Sequence, residues 1–194
     1  MLAATSSDER QLLIGRFLEA GVKAGETTLY VTCEAGNAED IVQQFQTNFS
    51  LVICNPQADL IMQDQANVFK LKGIENLTDI DIALMKHLRT LNPAQTMPKR
   101  ACICLISDVL LQHHAVVTRK WLSSLLTNLK FKGFTILAVI DPTMHPPEET
   151  QAILGLFDGE IRIAERQGAK GLEKLLKVVK LYNQNYLKDE VIIG

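Results

Sequence analysis

The first stretch whose residue types could do chemistry is residues 1–13, MLAATSSDERQLL, where a short apolar strand end, a polar turn and an amphipathic helix follow one another. That order is the frame of a phosphate loop, G-x-x-x-x-G-K-[ST], whose glycines, lysine and hydroxyl hold a triphosphate and Mg²⁺. The closest placement puts Ala3 and Glu9 at the glycines, Arg10 at the lysine and Gln11 at the hydroxyl position. None of the four motif residues is present, so the sequence predicts the frame without its chemistry.

The helix that follows is predicted to carry its own negative charge where a phosphate would otherwise bind. Ser6 and Glu9 have the spacing of a capping box, and Asp8 adds a second carboxylate to the first turn. A phosphate approaching this helix terminus would therefore meet repulsion, although free N–H groups ordinarily attract anions there. Arg10 could keep a positive charge near a phosphate, but an exposed first-turn arginine is the simpler interpretation. Gly25 suits the end of the helix.

Composition indicates a globular protein without a general attraction for polyanions. The 194 residues suit one domain, 1–194, and contents of 47% hydrophobic and 22% charged residues argue against disorder. Twenty basic and 22 acidic residues leave a net charge of −2, which gives no global pull toward nucleic acid or anionic lipid. No apolar run approaches the ~20 residues of a membrane span, and no signal-peptide pattern follows Met1. We therefore expect a cytoplasmic protein that has no membrane partner.

Strand-like and helix-like segments alternate along the chain, which predicts an α/β fold with a doubly wound, mostly parallel sheet. The continuous apolar runs at 101–106 and 134–140 are typical of central strands that are covered on both faces. Residues 160–164 and 172–180 instead alternate apolar with polar, as in antiparallel strands with one wet face, and 167–171 is the turn between them. The remaining predicted strands are 27–33, 51–54, 67–71 and a possible edge strand at 190–193.

The predicted helices are defined by apolar residues at helical spacing and by polar residues at their starts. Leu12, Leu13, Phe17, Leu18 and Val22 form the apolar face of the first helix. The other predicted helices are 38–49, a helix opened by a Thr78–Asp81 capping box and continuing to about Leu91, 116–129 and 148–157. Residues 92–100 are predicted to be a polar loop.

No metal site is expected from the cysteines and histidines. The cysteines lie inside apolar, strand-like runs without CxxC spacing, which is typical of buried reduced thiols; they are Cys33, Cys54, Cys102 and Cys104. His113 and His114 are sequence neighbours that cannot share a helix face, and they suit a helix-entry turn. His87 and His145 lie in distant segments.

Two basic features invite a binding role and have simpler structural interpretations. A lysine series could form a basic face, but its members fall on both faces of a strand, which favours solvated faces; the series is Lys170, Lys174, Lys177 and Lys180. Trp121 stands beside Arg119 and Lys120 and could anchor an interface. Packing of Trp121 into the core is the preferred interpretation.

Several stretches carry a resemblance to a known family. They are FLEAGVKAGETTLYVTCE (17–34), LTDIDIAL (77–84), SDVLLQHHAVVTRKWLSSLL (107–126), FTILAVIDPTMHPPEE (134–149) and LFDGEIRI (156–163), of which the first and the last are the most specific. In their order and content these stretches resemble the KaiC-like branch of the RecA-type ATPases, particularly small archaeal single-domain members. The resemblance covers essentially the whole chain and implies a three-layer RecA-like domain.

The resemblance also implies where catalytic residues would lie. Glu34 matches the first member of the family's acidic pair, the catalytic base, while Ala35 replaces the second member. The Mg²⁺-supporting acid falls on Cys104, which cannot act as a hard oxygen ligand. Asp108 is a nearby substitute, for which a capping or turn role is preferred.

A trans-acting pair in hexameric relatives is also altered. Lys180 matches the lysine that a neighbouring subunit places against the nucleotide, but Tyr182 stands where the arginine would be.

These departures together predict a protein that keeps the fold and has lost hydrolysis, because phosphoryl transfer depends on positioning and charge stabilisation by those parts. We expect a regulatory or interaction role with a protein partner or a second copy, and neither ATP nor Mg²⁺ as a cofactor. An alternative is a nucleotide-binding protein or weak ATPase using Arg10, Gln11, Glu34, Asp108 and Lys180, with Glu34 as its catalytic residue. A single-stranded DNA-binding relative is disfavoured by the near-neutral charge.

Overall fold

The computed structural model describes residues 1–5, 7–34, 36, 38–45, 47–90, 98–168 and 171–193, which form nine strands and six α-helices. The strands are β1 (Leu2–Ala3), β2 (Thr27–Thr32), β3 (Phe49–Cys54), β4 (Val68–Leu71), β5 (Lys99–Cys104), β6 (Phe134–Ile140), β7 (Gly159–Gly168), β8 (Gly171–Leu181) and β9 (Val191–Ile192). The helices are α1 (Asp8–Lys23), α2 (Ala38–Gln44), α3 (Ala58–Ile61), α4 (Leu77–Thr90), α5 (Ile106–Phe131) and α6 (Pro147–Leu154), with a 3₁₀ turn at Pro142–Met144.

All nine strands belong to one sheet in the order β4-β3-β2-β5-β6-β1-β7-β8-β9. Neighbours from β4 to β7 run parallel, while β8 and β9 are antiparallel to the strands beside them. Side chains of α1, α2 and α3 pack on one face of the sheet, and those of α4, α5 and α6 pack on the other. The predicted fold class, a three-layer, mostly parallel α/β sheet with antiparallel C-terminal strands, is confirmed.

The boundaries of the strands are set by hydrogen bonding to the neighbouring strands more than by the extent of the apolar run in the sequence. The predicted strand 101–106 is shifted, because β5 pairs with β2 from Lys99 to Cys104 and Ile106 already begins α5. The predicted helix 38–49 ends at Gln44, and Asn48 has a φ of 54° before β3 begins at Phe49. The predicted loop 92–100 overlaps β5, because that strand begins at Lys99. Residues 92–97 of this loop lie outside the described residues.

Both predicted capping boxes are wrong in their cap residue. Ser6 lies outside the described residues, and the N-cap of α1 is Ser7, whose hydroxyl accepts the Arg10 amide at 3.2 Å. The Glu9 carboxylate accepts a hydrogen bond from Lys174 at 2.6 Å, which lowers the pKa of Glu9. In α4 it is Asn76, not Thr78, whose side chain accepts the first-turn amide. A polar residue one position later in α1 and two positions earlier in α4 satisfies the free N–H groups.

The buried face of α1 also differs from its predicted apolar face. Arg10, Ile14, Leu18 and Gly21 are buried, whereas Leu12 is 51% exposed. A Cβ at Gly21 would lie 2.4 Å from Cδ of Arg100, so this glycine lets an arginine side chain pass between the sheet and the helix.

Helix α5 begins ten residues earlier than predicted. It is interrupted at His114, whose φ of 58° and ψ of 169° lie outside the helical region. The predicted turn at His113 and His114 is therefore confirmed, although helix precedes it as well as follows it. Trp121 lies in the second part of α5 and is 7% exposed, which confirms its core position, and its Nε1 donates to Oδ1 of Asp81 at 3.0 Å. The cysteines are free thiols, as predicted, but only Cys54 and Cys102 are buried, whereas Cys33 and Cys104 are partly exposed. None of the described helices is both long and apolar enough to cross a membrane.

Stability is expected to fall as the pH drops below about 6.5, the usual pKa of histidine, in part because of His87. This ring is 4% exposed, lies 4.4 Å from the Phe69 ring between centroids, and has its pKa lowered by burial. The unfolded chain then takes up a proton before the folded one, so stability present above the unfolded pKa is lost below it. When the free energy of unfolding is measured with urea across this pH range, it should depend less on pH in His87→Phe than in the parent. His114→Asn, at an exposed histidine, is the control and should have the same pH dependence as the parent. An identical pH dependence for His87→Phe and the parent would contradict this assignment.

Candidate functional site

The carboxyl ends of the parallel strands meet at one edge of the sheet, where ligands bind in open α/β folds. A cavity of about 170 Å³ lies there, between α1, the ends of β2, β5 and β6, and the start of α5. Its lining residues are Arg10, Ile14, Glu34, Cys104, Ser107, Asp108, Val139, Asp141 and Met144. Three of the five predicted nucleotide-site residues, Arg10, Glu34 and Asp108, therefore surround one cavity.

Arg10 lies in the first turn of α1 and points into this cavity. The residue is 8% exposed, so the interpretation as an exposed first-turn arginine is wrong. Its Nη2 donates to Oε1 of Glu34 at 2.9 Å. Because Ser7 caps the helix, Arg10 occupies the third helical position, and its side chain extends to Glu34 at the end of β2.

Glu34 follows β2 and has both carboxylate oxygens engaged by α1. While Arg10 contacts Oε1, Nε2 of Gln11 donates to Oε2 at 3.0 Å. The Glu34 amide donates to the Thr32 hydroxyl at 3.0 Å, which holds the residue at the strand end. The residues predicted at the lysine and hydroxyl positions of a phosphate loop, Arg10 and Gln11, thus both donate to Glu34, the residue predicted at the position of the catalytic base.

Asp108 lies in the first turn of α5 and adds a carboxylate to the same cavity. Burial raises its pKa first of all, and the nearby Glu34 charge raises it further, while Arg10 and His145 act in the opposite direction. The preferred interpretation from the sequence gave Asp108 a capping or turn role at a helix start. In the structure its side chain also lines the cavity. The cavity therefore concentrates acidic groups around Arg10.

Two lining or neighbouring residues, Asp141 and His145, were missed by the sequence reasoning. Asp141, at the end of β6, is 8% exposed; its Oδ1 accepts the Thr143 amide at 2.9 Å, and its own amide donates to Ser107 Oγ at 2.9 Å. His145 is also 8% exposed, and burial lowers its pKa although Asp141 and Asp108 raise it. The sequence did carry a signal for Asp141. It is an aspartate directly after a buried parallel strand, in Ile140-Asp141-Pro142.

The connection from β1 to α1 lacks the glycines of a phosphate loop. With Arg10 at the lysine position, the eight positions of the motif run from Ala4 to Gln11, so the first glycine position falls on Ala4 and not on Ala3, the position predicted from the sequence. The Ala4 amide donates to the Ile140 carbonyl at 3.0 Å, so this amide extends the sheet contacts and is not free to donate to a phosphate.

Lys180 does not line this cavity. It lies in β8, where its Nζ donates to the Leu154 carbonyl at 3.3 Å and lies 5.5 Å from the centre of the Tyr182 ring. Both residues line a separate cleft at the other end of the sheet. Within the described residues, no group of three or more His, Cys, Asp or Glu side chains could hold a metal ion.

The sheet order, the two helical layers and a cavity at the carboxyl strand ends define a RecA-like α/β domain. The family model described as KaiC ATPase matches residues 10–193, and the chain belongs to this KaiC family. Among solved structures, the chain is similar to the KaiC-like protein PH0186 from the hyperthermophilic archaeon Pyrococcus horikoshii OT3, with a TM-score of 0.67 and 14% identity. The match covers 98% of this chain and 83% of that one, and at this identity it concerns the fold. A comparison with curated proteins produced no match.

Proposed function

We propose that this chain is a non-catalytic KaiC-family protein that uses the ATPase fold as a regulatory or interaction module. The observation that carries the proposal is the contact of Arg10 and Gln11 with the two carboxylate oxygens of Glu34. A general base must be within hydrogen-bond reach of the water that it activates. Here both oxygens of Glu34, the residue predicted at that position, accept hydrogen bonds from side chains of the same chain, which hold the carboxylate against α1 although it is 49% exposed.

The size and charge of the cavity support the same proposal. A volume of about 170 Å³ is small beside the roughly 300–1,000 Å³ of ordinary ligand pockets. Glu34, Asp108 and Asp141 line it together with Arg10, so a triphosphate would meet more negative than positive charge. Cys104 stands at the position of the metal-supporting acid and offers no hard oxygen for Mg²⁺.

Calorimetric titration with ATP in the presence of Mg²⁺ tests the proposal, together with a phosphate-release assay. We expect no binding heat beyond dilution and no phosphate release above that of a protein-free sample, with an active P-loop ATPase as the positive control. Micromolar affinity that falls when Arg10 or Glu34 is replaced by alanine would contradict it. So would hydrolysis that Glu34→Gln abolishes.

A nucleotide-binding role with an altered site is the second candidate. It is favoured by the meeting of Arg10, Glu34 and Asp108 around one cavity. It requires that Arg10 leave Glu34 and turn to a phosphate. In the same titration it predicts binding that Arg10→Ala removes and that Arg16→Ala, an exposed arginine of the same helix, leaves intact.

A further inference from the structure

Two cysteine sulfur atoms are in contact at the carboxyl end of β5. The Sγ atoms of Cys102 and Cys104 lie 3.5 Å apart. Side chains two residues apart in a strand point to the same face of the sheet, and here that face packs against α1. The two Cα atoms are about 6.6 Å apart, the rise of two residues in a parallel strand, which is near the upper end of the range that a disulfide spans. A small movement of the strand would therefore allow the two thiols to be bridged.

The two thiols differ in their access to solvent. Cys102 is completely buried, whereas Cys104 is partly exposed and is the one cysteine among the described residues that line the 170 Å³ cavity. Burial first of all, and then the contact with Cys104, raises the pKa of the Cys102 thiol well above its usual value. A reagent that enters the cavity reaches the Cys104 sulfur and finds the Cys102 sulfur directly beside it. An accessible thiol next to a second one is the arrangement of a redox-sensitive pair.

The size of the cavity determines which oxidant can reach Cys104. A water molecule takes up roughly 30 Å³ of the liquid, so hydrogen peroxide, which has one more oxygen, fits a cavity of about 170 Å³. A peptide disulfide such as oxidised glutathione is much larger than this space. The Ser107 hydroxyl also lines the cavity and can donate a hydrogen bond to a peroxide oxygen. The cavity therefore favours a small hydroperoxide over a bulky disulfide.

The other two cysteines lie on the opposite face of the sheet. Cys33 and Cys54 pack in the core that includes α4 and α5, and neither is among the described residues that line the cavity. Burial raises the pKa of Cys54 to about 12 and raises that of Cys33 as well, with the Asp108 charge acting on Cys33 in the same direction. Because the thiolate is the reactive form, both are expected to be slow to oxidise.

We propose that Cys104 is a site of oxidation by hydroperoxides and that Cys102 converts the product into a reversible disulfide. With hydrogen peroxide, the Cys104 sulfur attacks one oxygen, the O–O bond breaks, and Cys104 becomes a sulfenic acid as one water leaves. The Cys102 sulfur then attacks the Cys104 sulfur, the S–O bond breaks, and the Cys102 proton leaves with the hydroxyl group as a second water. The two thiols lose two electrons and two protons, and the peroxide is reduced to two waters. The inference goes beyond the loss of hydrolysis and requires no nucleotide.

The bridge is expected to act on the candidate site through the pairing of β5 with β2. Joining the sulfur atoms brings them from 3.5 Å to about 2.05 Å, which shortens the end of β5. Cys104 pairs there with Thr32, whose hydroxyl accepts the Glu34 amide. A shift of Thr32 therefore changes the position of Glu34 and its contact with Arg10. A bridge under this strain is readily reduced again, which makes the change reversible.

Peptide masses from the full-length protein test the bridge directly. Cleavage after Lys and Arg places Cys102 and Cys104 in peptide 101–119, and Cys33 and Cys54 in peptide 24–70. After treatment with hydrogen peroxide and alkylation of the remaining thiols, we expect peptide 101–119 to be two hydrogens lighter than its reduced form and to carry no alkyl group. Peptide 24–70 should carry two alkyl groups. Dithiothreitol should reverse the change, and oxidised glutathione should produce the bridge much more slowly than peroxide does in the folded protein.

Substitutions separate the roles of the two cysteines. Cys102→Ala should stop at the sulfenic acid of Cys104, which dimedone traps, whereas Cys104→Ala should give neither a bridge nor a dimedone adduct in peptide 101–119. Cys54→Ala, at another buried cysteine at a strand end, is the matched control and should leave the bridge unchanged. The NMR signal of the Glu34 carboxyl carbon should shift when the parent is oxidised and should not shift in Cys104→Ala.

Several results would overturn the proposal. A parent whose four thiols are all alkylated after peroxide treatment, or a bridge within peptide 24–70, excludes this pair as the oxidised site. Equal rates with peroxide and with oxidised glutathione exclude entry through the cavity, and a Glu34 signal that oxidation leaves in place excludes the link to the candidate site. The digest of the parent needs no substitution, so a variant that fails to fold does not remove the test. None of these readouts involves nucleotide, so their failure is distinguishable from failure of the proposed function.

Discussion

Replacing Arg100 with alanine is expected to lower the free energy of unfolding by about 3 kcal/mol, measured by urea denaturation. Arg100 lies in β5 and ties the sheet to α1. Its Nε and Nη2 donate to the two carboxylate oxygens of Glu26 at 2.5 and 2.8 Å, and its Nη1 donates to the Phe17 carbonyl at 2.7 Å. The Arg100 and Glu26 side chains are only 16% and 15% exposed, so the substitution leaves a poorly solvated carboxylate without its partner.

The pH dependence of this effect has a defined sign. The hydrogen bond from Arg100 lowers the pKa of Glu26, so the pair stabilises the fold above the unfolded pKa of about 4.3. That contribution is lost as the pH falls through the folded pKa, and the difference between Arg100→Ala and the parent should shrink in acid. Lys23→Ala, which removes an exposed pair with Glu19, is the control and should change stability by at most about 0.5 kcal/mol. Equal effects for the two variants would contradict the role of Arg100.

Replacing Arg10 with methionine is expected to reduce stability by about 1–2 kcal/mol at neutral pH. Methionine keeps the apolar length of the side chain and removes the only guanidinium among the described residues that line the cavity. Glu34 then loses one donor, and the carboxylates of Asp108 and Asp141 lose a neutralising charge. The expected effect is smaller than for Arg100 because the Glu34 side chain is 49% exposed and can be solvated.

Two further measurements separate this effect from general damage to α1. Arg16→Met removes an exposed arginine from the same helix and should be nearly neutral. The pKa of Asp108, already raised by burial, should rise further in Arg10→Met because Arg10 lowers it in the parent. NMR titration of the carboxyl carbon of Asp108 measures this shift. A pKa of Asp108 that Arg10→Met leaves in place would show that the arginine does not act on the cavity.

The elements of the fold were largely predictable, and their boundaries less so. Strand β6 was predicted at its observed bounds because its apolar run is enclosed by polar residues and Asp141-Pro142. For β5 the same pattern predicted a strand at 101–106, two residues later than the observed strand, Lys99–Cys104. The pairing with β2, which ends at Cys104, decides where the strand stops, and this contact is not local in sequence.

The members of the candidate site were predictable in part, and their contacts were not. Types and spacing predicted Arg10 and Gln11 at phosphate-loop positions and Glu34 at the end of a parallel strand. Nothing local indicated that Arg10 is buried, since a first-turn arginine is ordinarily solvated. Asp141 and His145 were missed because their part in the site depends on where β6 ends relative to β2 and β5.

By itself the sequence determined the class of fold and the family resemblance, because these depend on residue type and local periodicity. Only the tertiary structure decided that Arg10 and Gln11 bind both oxygens of Glu34, since these residues come from separate elements joined through the sheet. Strand pairing and side-chain burial are properties of neighbours distant in sequence, so the spacing of residues along the chain does not determine them.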